Sequence, residues 1–301
     1  MKPDSNYRFL FETIDARGHL IRLDQALIDS LAAHDYSPPL KCLLGEFLTA
    51  SVLLAETIKF DGRLILQARS QAALSLIAAE ATSRRGIRGV LRVNEPISHA
   101  NGPEAHEPLN LQTLLDGGTM VVTIEPDQGE RYQSLVPIES SSLAGCLEFY
   151  FGQSDQLGTF LFLHCNGREA FGFLLQQLPP QLESDAAKRA NQWEHLVTLA
   201  QTITPEEINE LGPAHLLRRL FGEESISLYE EEGATFACTC SNERMANALI
   251  ALGDEELTNM FEEQPVIEIG CEFCGRRRQM SRQDVADIAR NGESPTRVLD
   301  R

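Results

Sequence analysis

The residues of this chain best suited to do chemistry are four cysteines near its C-terminal end. Cys238 and Cys240 form a CxC pair and, after thirty residues without another cysteine, Cys271 and Cys274 form a CxxC pair. Zinc(II) in structural sites prefers a closed tetrahedron of ligands, and each close pair can supply one edge of it. Gly275 follows the second pair and suits a tight turn in which backbone amides point toward sulfur. The pattern therefore predicts a zinc site with these four cysteines as ligands.

Two disulfides or four unrelated thiols are the alternative interpretation of these cysteines. The N-terminal segment lacks the continuous apolar stretch of a signal peptide. No uninterrupted apolar run reaches the length of about 18 residues that predicts a membrane span. We therefore expect a cytoplasmic protein without a membrane partner. Thiols stay reduced in that compartment, where close cysteine pairs indicate a metal or redox site.

The charge of the chain bears on its partners. A formal net charge of −18 argues against nucleic acid, because phosphate binding requires a basic face. The local exception is Arg276, Arg277 and Arg278, just after the second cysteine pair. These arginines are interpreted as offsetting the negative charge of a four-thiolate zinc centre, in preference to forming a nucleic-acid patch.

The other residues that could react do not assemble into a catalytic site. Cys42, Cys146 and Cys165 lie in apolar stretches and are expected to be buried, behaving as small hydrophobic side chains. His164 precedes Cys165, but neighbours on a strand point to opposite faces, so it is poorly placed to activate that thiol. The histidines show no HExxH or comparable spacing. The chain is therefore not expected to be an enzyme.

Three regions must position the zinc site, and the first is an α+β unit of mixed helices and strands. Its antiparallel strands and helices occur in blocks, without regular βαβ alternation, which favours α+β. A hairpin is predicted around the turn at 126–129. Strands are predicted at 8–14, 21–23, 63–67, 87–93, 120–124, 131–136, 159–164 and 170–175, helices at 24–33, 40–58 and 142–151, and either a helix or a strand at 72–81.

The second region is a helical linker that begins after two prolines. Its composition shifts to Ala, Glu, Gln and Arg with helical periodicity up to Glu232. Thr204, Pro205 and Glu207 predict a capped helix start. Such helices need a partner surface, either as permanently packed helices or by conditional docking. The apolar stripes are Trp193, Leu196, Val197 and Ala200, and then Leu216, Leu217, Leu220 and Phe221.

The third region carries the cysteines. Helices are predicted after Ser241, from Asp254 and after Ser281, with a strand at 266–269. About 60 residues approach the lower limit for a self-supporting core, so this module is expected to need zinc to fold. The predicted domains are a core domain at 1–178, a helical linker at 179–232, a small zinc-binding domain at 233–292 and a flexible tail at 293–301.

Essentially the full chain resembles the heat shock protein 33 family, the redox-regulated holdase chaperones of bacteria. The family pattern of CxC, about thirty residues and CxxC is matched by all four cysteines named above. Met245 occupies a position where some relatives carry an additional cysteine that is not a ligand. The resemblance is carried by RFLFETIDARG, IRGVLRV, VVTIEPDQGERYQSLVPIE, LAGCLEFYF, FGEESISLYE, CTCSNERMANAL and IEIGCEFCG.

The resemblance implies a redox switch. The reduced protein would hold one zinc per chain through the four thiolates and be inactive. During oxidative stress each cysteine pair would become a disulfide, zinc would leave, and the small domain and linker would unfold. The protein would then bind unfolding client proteins without ATP, as a homodimer, with the core domain serving client binding and dimerisation. Loop length also favours the pairs Cys238–Cys240 and Cys271–Cys274, because a short loop closes more readily than a long one.

Two other function classes compete with this interpretation. A zinc-ribbon adaptor for nucleic acid or protein is favoured by the arginines after the CxxC pair, but the net charge weighs against it. A thiol-disulfide oxidoreductase is favoured by CxxC itself, yet the βαβ context of a thioredoxin-like motif is missing and the CxC pair would have no role.

Overall fold

The computed structural model describes residues 2–94, 109–154 and 157–291, and these form two compact units. The first unit comprises the chain up to Leu31 and from Asp35 to Phe236. The second comprises Ala32–His34 and the chain from Ala237 onward. The boundaries at 178 and 232 stay predictions, and the predicted tail at 293–301 lies outside the described residues.

The first unit contains most of the regular structure. Its helices are α1 (Gln25–Leu31), α2 (Pro38–Thr57), α3 (Leu111–Leu114), α4 (Leu143–Ser154), α5 (Ala186–Ala200), α6 (Pro205–Glu210) and α7 (Pro213–Leu220). Its strands are β1 (Asn6–Phe11), β2 (Ala16–Leu23), β3 (Gly62–Arg69), β4 (Leu74–Thr82), β5 (Gly86–Val93), β6 (Thr119–Pro126), β7 (Tyr132–Val136), β8 (Thr159–Cys165), β9 (Ala170–Gln177), β10 (Ile226–Glu231) and β11 (Thr235–Phe236). The second unit contains α8 (Asn242–Ile250), α9 (Asp254–Glu263), β12 (Val266–Gly270), β13 (Arg277–Ser281) and α10 (Arg282–Asn291).

Two sheets and one central helix build the first unit. An antiparallel five-stranded sheet has the order β10-β1-β2-β9-β8, and a six-stranded sheet has the order β11-β5-β4-β3-β6-β7. Helix α2 contacts strands of both sheets. By length and composition α2 is apolar enough to cross a membrane, but 67% of its most apolar window is buried inside the protein. A mostly buried helix of this kind is the core helix of a globular unit.

The α+β class is confirmed, and so are most of the predicted elements of the first unit. The predicted hairpin is formed by β6 and β7, whose residues pair from Met120 with Val136 to Ile124 with Tyr132. The ambiguous segment 72–81 is strand β4, paired with β3 and β5. Strand β11 and helix α3 were not predicted, because two to four residues give no periodic signal.

The helical prediction for the end of the linker is wrong. Residues 226–231 form β10, which pairs with β1 from Phe11 opposite Ile226 to Asn6 opposite Glu231. Ile226 and Leu228 alternate along the strand and both pack against the apolar cluster on the sheet. The open edge of β1 thus gives this segment backbone partners that a helix could not use.

The linker helices complete an apolar cluster on one face of the five-stranded sheet. The ring centroid of Phe221 lies 5.2 Å from that of Phe11, 6.5 Å from that of Phe9 and 6.4 Å from that of Phe173. The predicted stripes therefore have a partner surface within this unit. We call this set the phenylalanine cluster; its buried linker members are Leu196, Ala200, Ile203, Ile208, Leu216, Leu217, Leu220 and Phe221.

Polar contacts fix both ends of the first linker helices. The buried carboxylate of Asp15, in the turn after β1, accepts hydrogen bonds from the backbone N–H groups of Gln181, Leu182 and Glu183 and from Arg189 Nη1 at 2.8 Å. These donors hold the pKa of Asp15 below its usual value, although burial alone would raise it. The predicted capping box at Thr204 is confirmed by reciprocal bonds with Glu207.

The second unit has a small core of its own. Eight buried side chains form it, contributed by the three helices and the β12–β13 hairpin. Ser241 caps α8 by accepting a hydrogen bond from the Arg244 N–H, as predicted. Ser281 and Asp284 exchange backbone-to-side-chain hydrogen bonds at the start of α10. Met245 is one of the eight core residues and has no place among the sulfur ligands.

Candidate metal centre

The four cysteines come from two irregular segments. Cys238 and Cys240 lie in the extended stretch just before α8, whose cap is the next residue. Cys271 and Cys274 lie in the turn that joins β12 to β13. Loops held at both ends by regular elements are the usual location of ligand residues, because the elements fix the loop while its backbone stays free to turn.

The four sulfur atoms form a closed group. All lie within 4.8 Å of one another, with Cys238 and Cys271 Sγ 3.6 Å apart and Cys240 and Cys274 Sγ 3.5 Å apart. A tetrahedron with metal–sulfur distances of about 2.3 Å has edges of about 3.8 Å. The arrangement therefore fits a metal ion of the size of zinc, and it requires each pair to contribute one edge. In the described part of the chain, this is the only such group of three or more cysteine, histidine or carboxylate side chains.

Backbone groups shape the turn around the second pair. The N–H of Gly275 donates to the Cys271 carbonyl at 2.8 Å, and the N–H of Cys271 donates to the Arg276 carbonyl at 2.9 Å. Gly275 has a φ of 68°, a left-handed conformation that strongly favours glycine. The N–H groups of Phe273 and Cys274 donate to the sulfur of Cys271, and that of Cys240 donates to Cys238. The amides thus point at sulfur, as predicted from the glycine.

Proximity and amide donors set the acidity of the thiols. Burial alone would raise the pKa of Cys238, but the Cys240 N–H and the neighbouring thiols lower it to about 7. Burial and the neighbouring sulfur atoms raise the pKa of Cys240 to about 12, and burial also raises that of Cys271. One thiolate is therefore favoured and the next ones are opposed by its charge. A divalent cation would relieve that opposition, because metal ligation replaces the thiol protons.

The arginines after the second pair have other contacts. Arg277 donates to Glu268 Oε1 at 2.9 Å across the hairpin, and its side chain is exposed. The Arg276 carbonyl takes part in the turn described above. Arg278 pairs with Ile269 in the β12–β13 ladder. These contacts give the arginines a structural role in the hairpin, and the predicted offset of thiolate charge stays a prediction.

The remaining cysteines lie apart from the centre in sequence and belong to the first unit. Cys146 and Cys165 are buried, as predicted. Cys42 is only partly buried, so that prediction is wrong for this residue. The reason is its place near the start of α2, where the neighbouring Lys41 is also partly exposed, so this end of the helix is less enclosed than its middle. The apolar sequence around Cys42 gave no indication of this.

Comparison with known proteins places these features in a group. The chain matches the family model described as "Hsp33 protein" over residues 4–281. It is 42% identical over 286 residues to the "33 kDa chaperonin" of Pseudomonas aeruginosa, covering 95% of this chain and 94% of that protein. It is also 42% identical over 293 residues to the "33 kDa chaperonin" of Azotobacter vinelandii, covering 97% and 96%.

A solved structure shares the fold. The crystal structure of the 33 kDa chaperonin (heat shock protein 33 homolog) of Thermotoga maritima superimposes with a TM-score of 0.74. The superposition covers 95% of this chain and 98% of the other at 22% sequence identity. At that identity the likeness concerns the fold alone.

Proposed function

Because this chain belongs to the Hsp33 family, we propose that it is a redox-regulated, ATP-independent holdase chaperone. The reduced form holds one zinc ion per chain through Cys238, Cys240, Cys271 and Cys274 and is inactive. Oxidation closes two disulfides, releases zinc and frees the linker, and the protein then binds unfolding proteins during oxidative stress. The observation that carries this proposal is the closed group of four sulfurs inside a unit with only eight buried core side chains.

Energetics support metal control of the second unit. When bound, zinc supplies a fixed tetrahedral link between the segment before α8 and the β12–β13 turn. Structural zinc contributes on the order of 10 kcal/mol of folding free energy. A core of eight side chains supplies a comparable gross amount at ~1.5–3 kcal/mol each, most of which chain entropy opposes. Removal of the ion is therefore sufficient to unfold this unit.

The linker is the element that the switch must release. Its helices cover the phenylalanine cluster, and its last segment, β10, is separated by a few residues from the second unit, which starts at Ala237. The α2-centred core of the first unit contains no residue of α5, α6 or α7. Release of the linker therefore exposes a large apolar face while the main core stays closed, and such a face binds unfolding proteins.

The disulfides are expected to join neighbours in sequence, Cys238 to Cys240 and Cys271 to Cys274. The sulfur positions alone favour no pairing, since the 3.5 and 3.6 Å contacts join cysteines of different pairs. Loop closure decides, because the zinc unit opens on oxidation and a short loop then closes more readily than one of about thirty residues. The small CxC ring is strained and should be reduced first. Peptide mapping of the oxidised protein tests this, and Cys238 joined mainly to Cys271 or Cys274 contradicts it.

The function itself is tested by measuring zinc content and aggregation of thermally unfolding citrate synthase, before and after peroxide with mild heating. The reduced protein should contain one zinc and leave light scattering unchanged. The oxidised protein should have lost zinc and suppress scattering near stoichiometric amounts, and reductant with zinc should reverse both effects. Equal suppression by the two forms would contradict redox control.

The same preparations address the remaining parts of the proposal. We infer a cytoplasmic protein that is not an enzyme, that binds neither nucleic acid nor membranes and that forms a homodimer when oxidised. The net charge of −18 supports the exclusion of nucleic acid. A mobility shift with RNA or DNA would favour an adaptor, and catalysed insulin reduction would favour an oxidoreductase. Sedimentation before and after oxidation measures the oligomeric state.

A further inference from the structure

Two cysteines outside the zinc centre meet in the first unit. Cys42 lies near the start of α2, and Cys165 is the last residue of β8. The N–H of Gly167, in the following turn, donates to Cys165 Sγ at 3.3 Å. A Cβ atom built on the same glycine would lie 3.9 Å from Cys42 Sγ. Both sulfur atoms therefore lie beside this glycine, and the two thiols interact through a hydrogen bond.

The helix surface is shaped to receive the second sulfur. Gly45 lies three residues after Cys42, on the same face of α2. A Cβ atom at Gly45 would lie 2.6 Å from Cys165 Sγ, closer than atoms can approach. Only glycine therefore lets the sulfur of Cys165 rest against the helix next to Cys42. The turn that carries Cys165 is held by Asn166, whose side chain accepts hydrogen bonds from the N–H groups of Arg168 and Glu169.

The two thiols differ in exposure and acidity. Cys42 is partly exposed and Cys165 is buried. The hydrogen bond from Cys165 lowers the pKa of Cys42, while the same bond and burial raise that of Cys165. Glu46, one turn along α2, has its pKa raised to about 7 by burial, so part of it is neutral and opposes a Cys42 thiolate less. An accessible thiolate beside a buried thiol is the arrangement of an attacking and a resolving cysteine.

We propose that Cys42 and Cys165 are a second redox pair, which hydrogen peroxide converts to an intramolecular disulfide. The Cys42 thiolate attacks one peroxide oxygen, the O–O bond breaks, and hydroxide leaves as Cys42 becomes a sulfenic acid. Cys165 then attacks the Cys42 sulfur, the S–O bond breaks, and a second hydroxide leaves. The two hydroxides take up the thiol proton and one solvent proton, so two thiols lose two electrons and one peroxide becomes two waters.

The predicted disulfide acts on the first unit alone. It joins α2 to the end of β8 and encloses most of the six-stranded sheet within one loop. A cross-link across a loop of more than about 100 residues strongly restricts the unfolded chain. The linker helices and the second unit lie outside this loop. Oxidation at this pair therefore stabilises the α2-centred core and leaves the later elements unconstrained.

The test is peptide mapping of the full chain after peroxide, with free thiols blocked by N-ethylmaleimide. The tryptic peptide 42–59 contains Cys42 alone, whereas the peptide 132–168 contains both Cys146 and Cys165. The Cys146→Ser variant therefore assigns the partner and is the matched control. We expect the two peptides to be joined in the wild type and in Cys146→Ser, and separate in Cys42→Ser. Blocked thiols at both Cys42 and Cys165 after oxidation, or Cys42 joined to another cysteine, would overturn the proposal.

Thermal unfolding provides a second measurement. Peroxide should raise the unfolding midpoint of the first unit by about 5 °C or more in the Cys146→Ser variant. The same treatment should give no such rise in Cys42→Ser, whose substituted side chain is partly exposed and therefore disturbs folding least. Equal midpoints in the two oxidised variants would contradict the cross-link. If neither serine variant folds, mapping of the wild type decides the question.

Discussion

A Cys271→Ser protein is expected to lose stoichiometric zinc and, with it, the fold of the second unit. The Cys271 sulfur receives the N–H groups of Phe273 and Cys274 and lies 3.6 Å from Cys238 Sγ, so it is a corner of the candidate tetrahedron. A serine hydroxyl is a poor replacement for a thiolate at zinc. The loss is on the order of the 10 kcal/mol that structural zinc contributes, which exceeds the net stability of a small domain. Zinc content and proteolysis of residues 237–291 measure the two effects.

A matched serine variant separates zinc loss from general damage. Cys146 is fully buried in the first unit, so Cys146→Ser disturbs a core without touching the four-sulfur group. This control should retain one zinc per chain and a protected second unit. The assignment of the ligands is refuted if Cys271→Ser retains its full metal content. Under the proposed function, the Cys271→Ser protein should also suppress aggregation without oxidant.

The second large effect is expected from Leu217→Asp, which should release the linker and give chaperone activity in the reduced protein. Leu217 is 3% exposed and lies in the phenylalanine cluster. An unpaired carboxylate at that position costs several kcal/mol, comparable with the burial of two or three apolar side chains. Hydrogen exchange should therefore speed up across α5, α6 and α7, while α2 stays protected. Trp193→Ala should act in the same direction with a smaller effect, because Trp193 is only partly buried against Gly158.

An exposed position on the same helix supplies the control. Ala214 lies in the first turn of α7 and faces solvent. Ala214→Asp adds the same charge where a helix N-terminus tolerates it. This variant should keep linker protection and stay inactive until it is oxidised. The switch lies elsewhere if oxidised, client-binding protein shows unchanged exchange across the linker.

The sequence predicted those features that depend on neighbours along the chain. The capping box at Thr204, the β6–β7 hairpin and the glycine turn after Cys274 each rest on a few consecutive residues, and each is present. Strand β10 was mistaken for helix because its conformation depends on the edge of β1, more than 200 residues earlier. Pairing at that distance leaves no local pattern.

The candidate centre was predictable in membership and less so in geometry. Ligand type and spacing singled out the four cysteines, because few other arrangements explain two close pairs in a reducing compartment. The near-equal sulfur distances depend on how α8 and the β12–β13 turn pack in the second unit. The meeting of Cys42 with Cys165 was not foreseen, since it requires α2 and the β8–β9 turn to come together across more than a hundred residues.

The separation of the two apolar clusters in the first unit has a consequence for cooperativity. Strand β9 contributes to both, with Phe171 and Phe173 in the phenylalanine cluster and Ala170 and Leu174 in the α2-centred core. Parts of a protein that share few side chains open as separate foldons with their own free energies. Linker release is then a sub-global opening that leaves β9 in place as a wall of the remaining core. The protein can thus lose a third of its ordered chain reversibly, because the strand that presents the exposed face never unfolds.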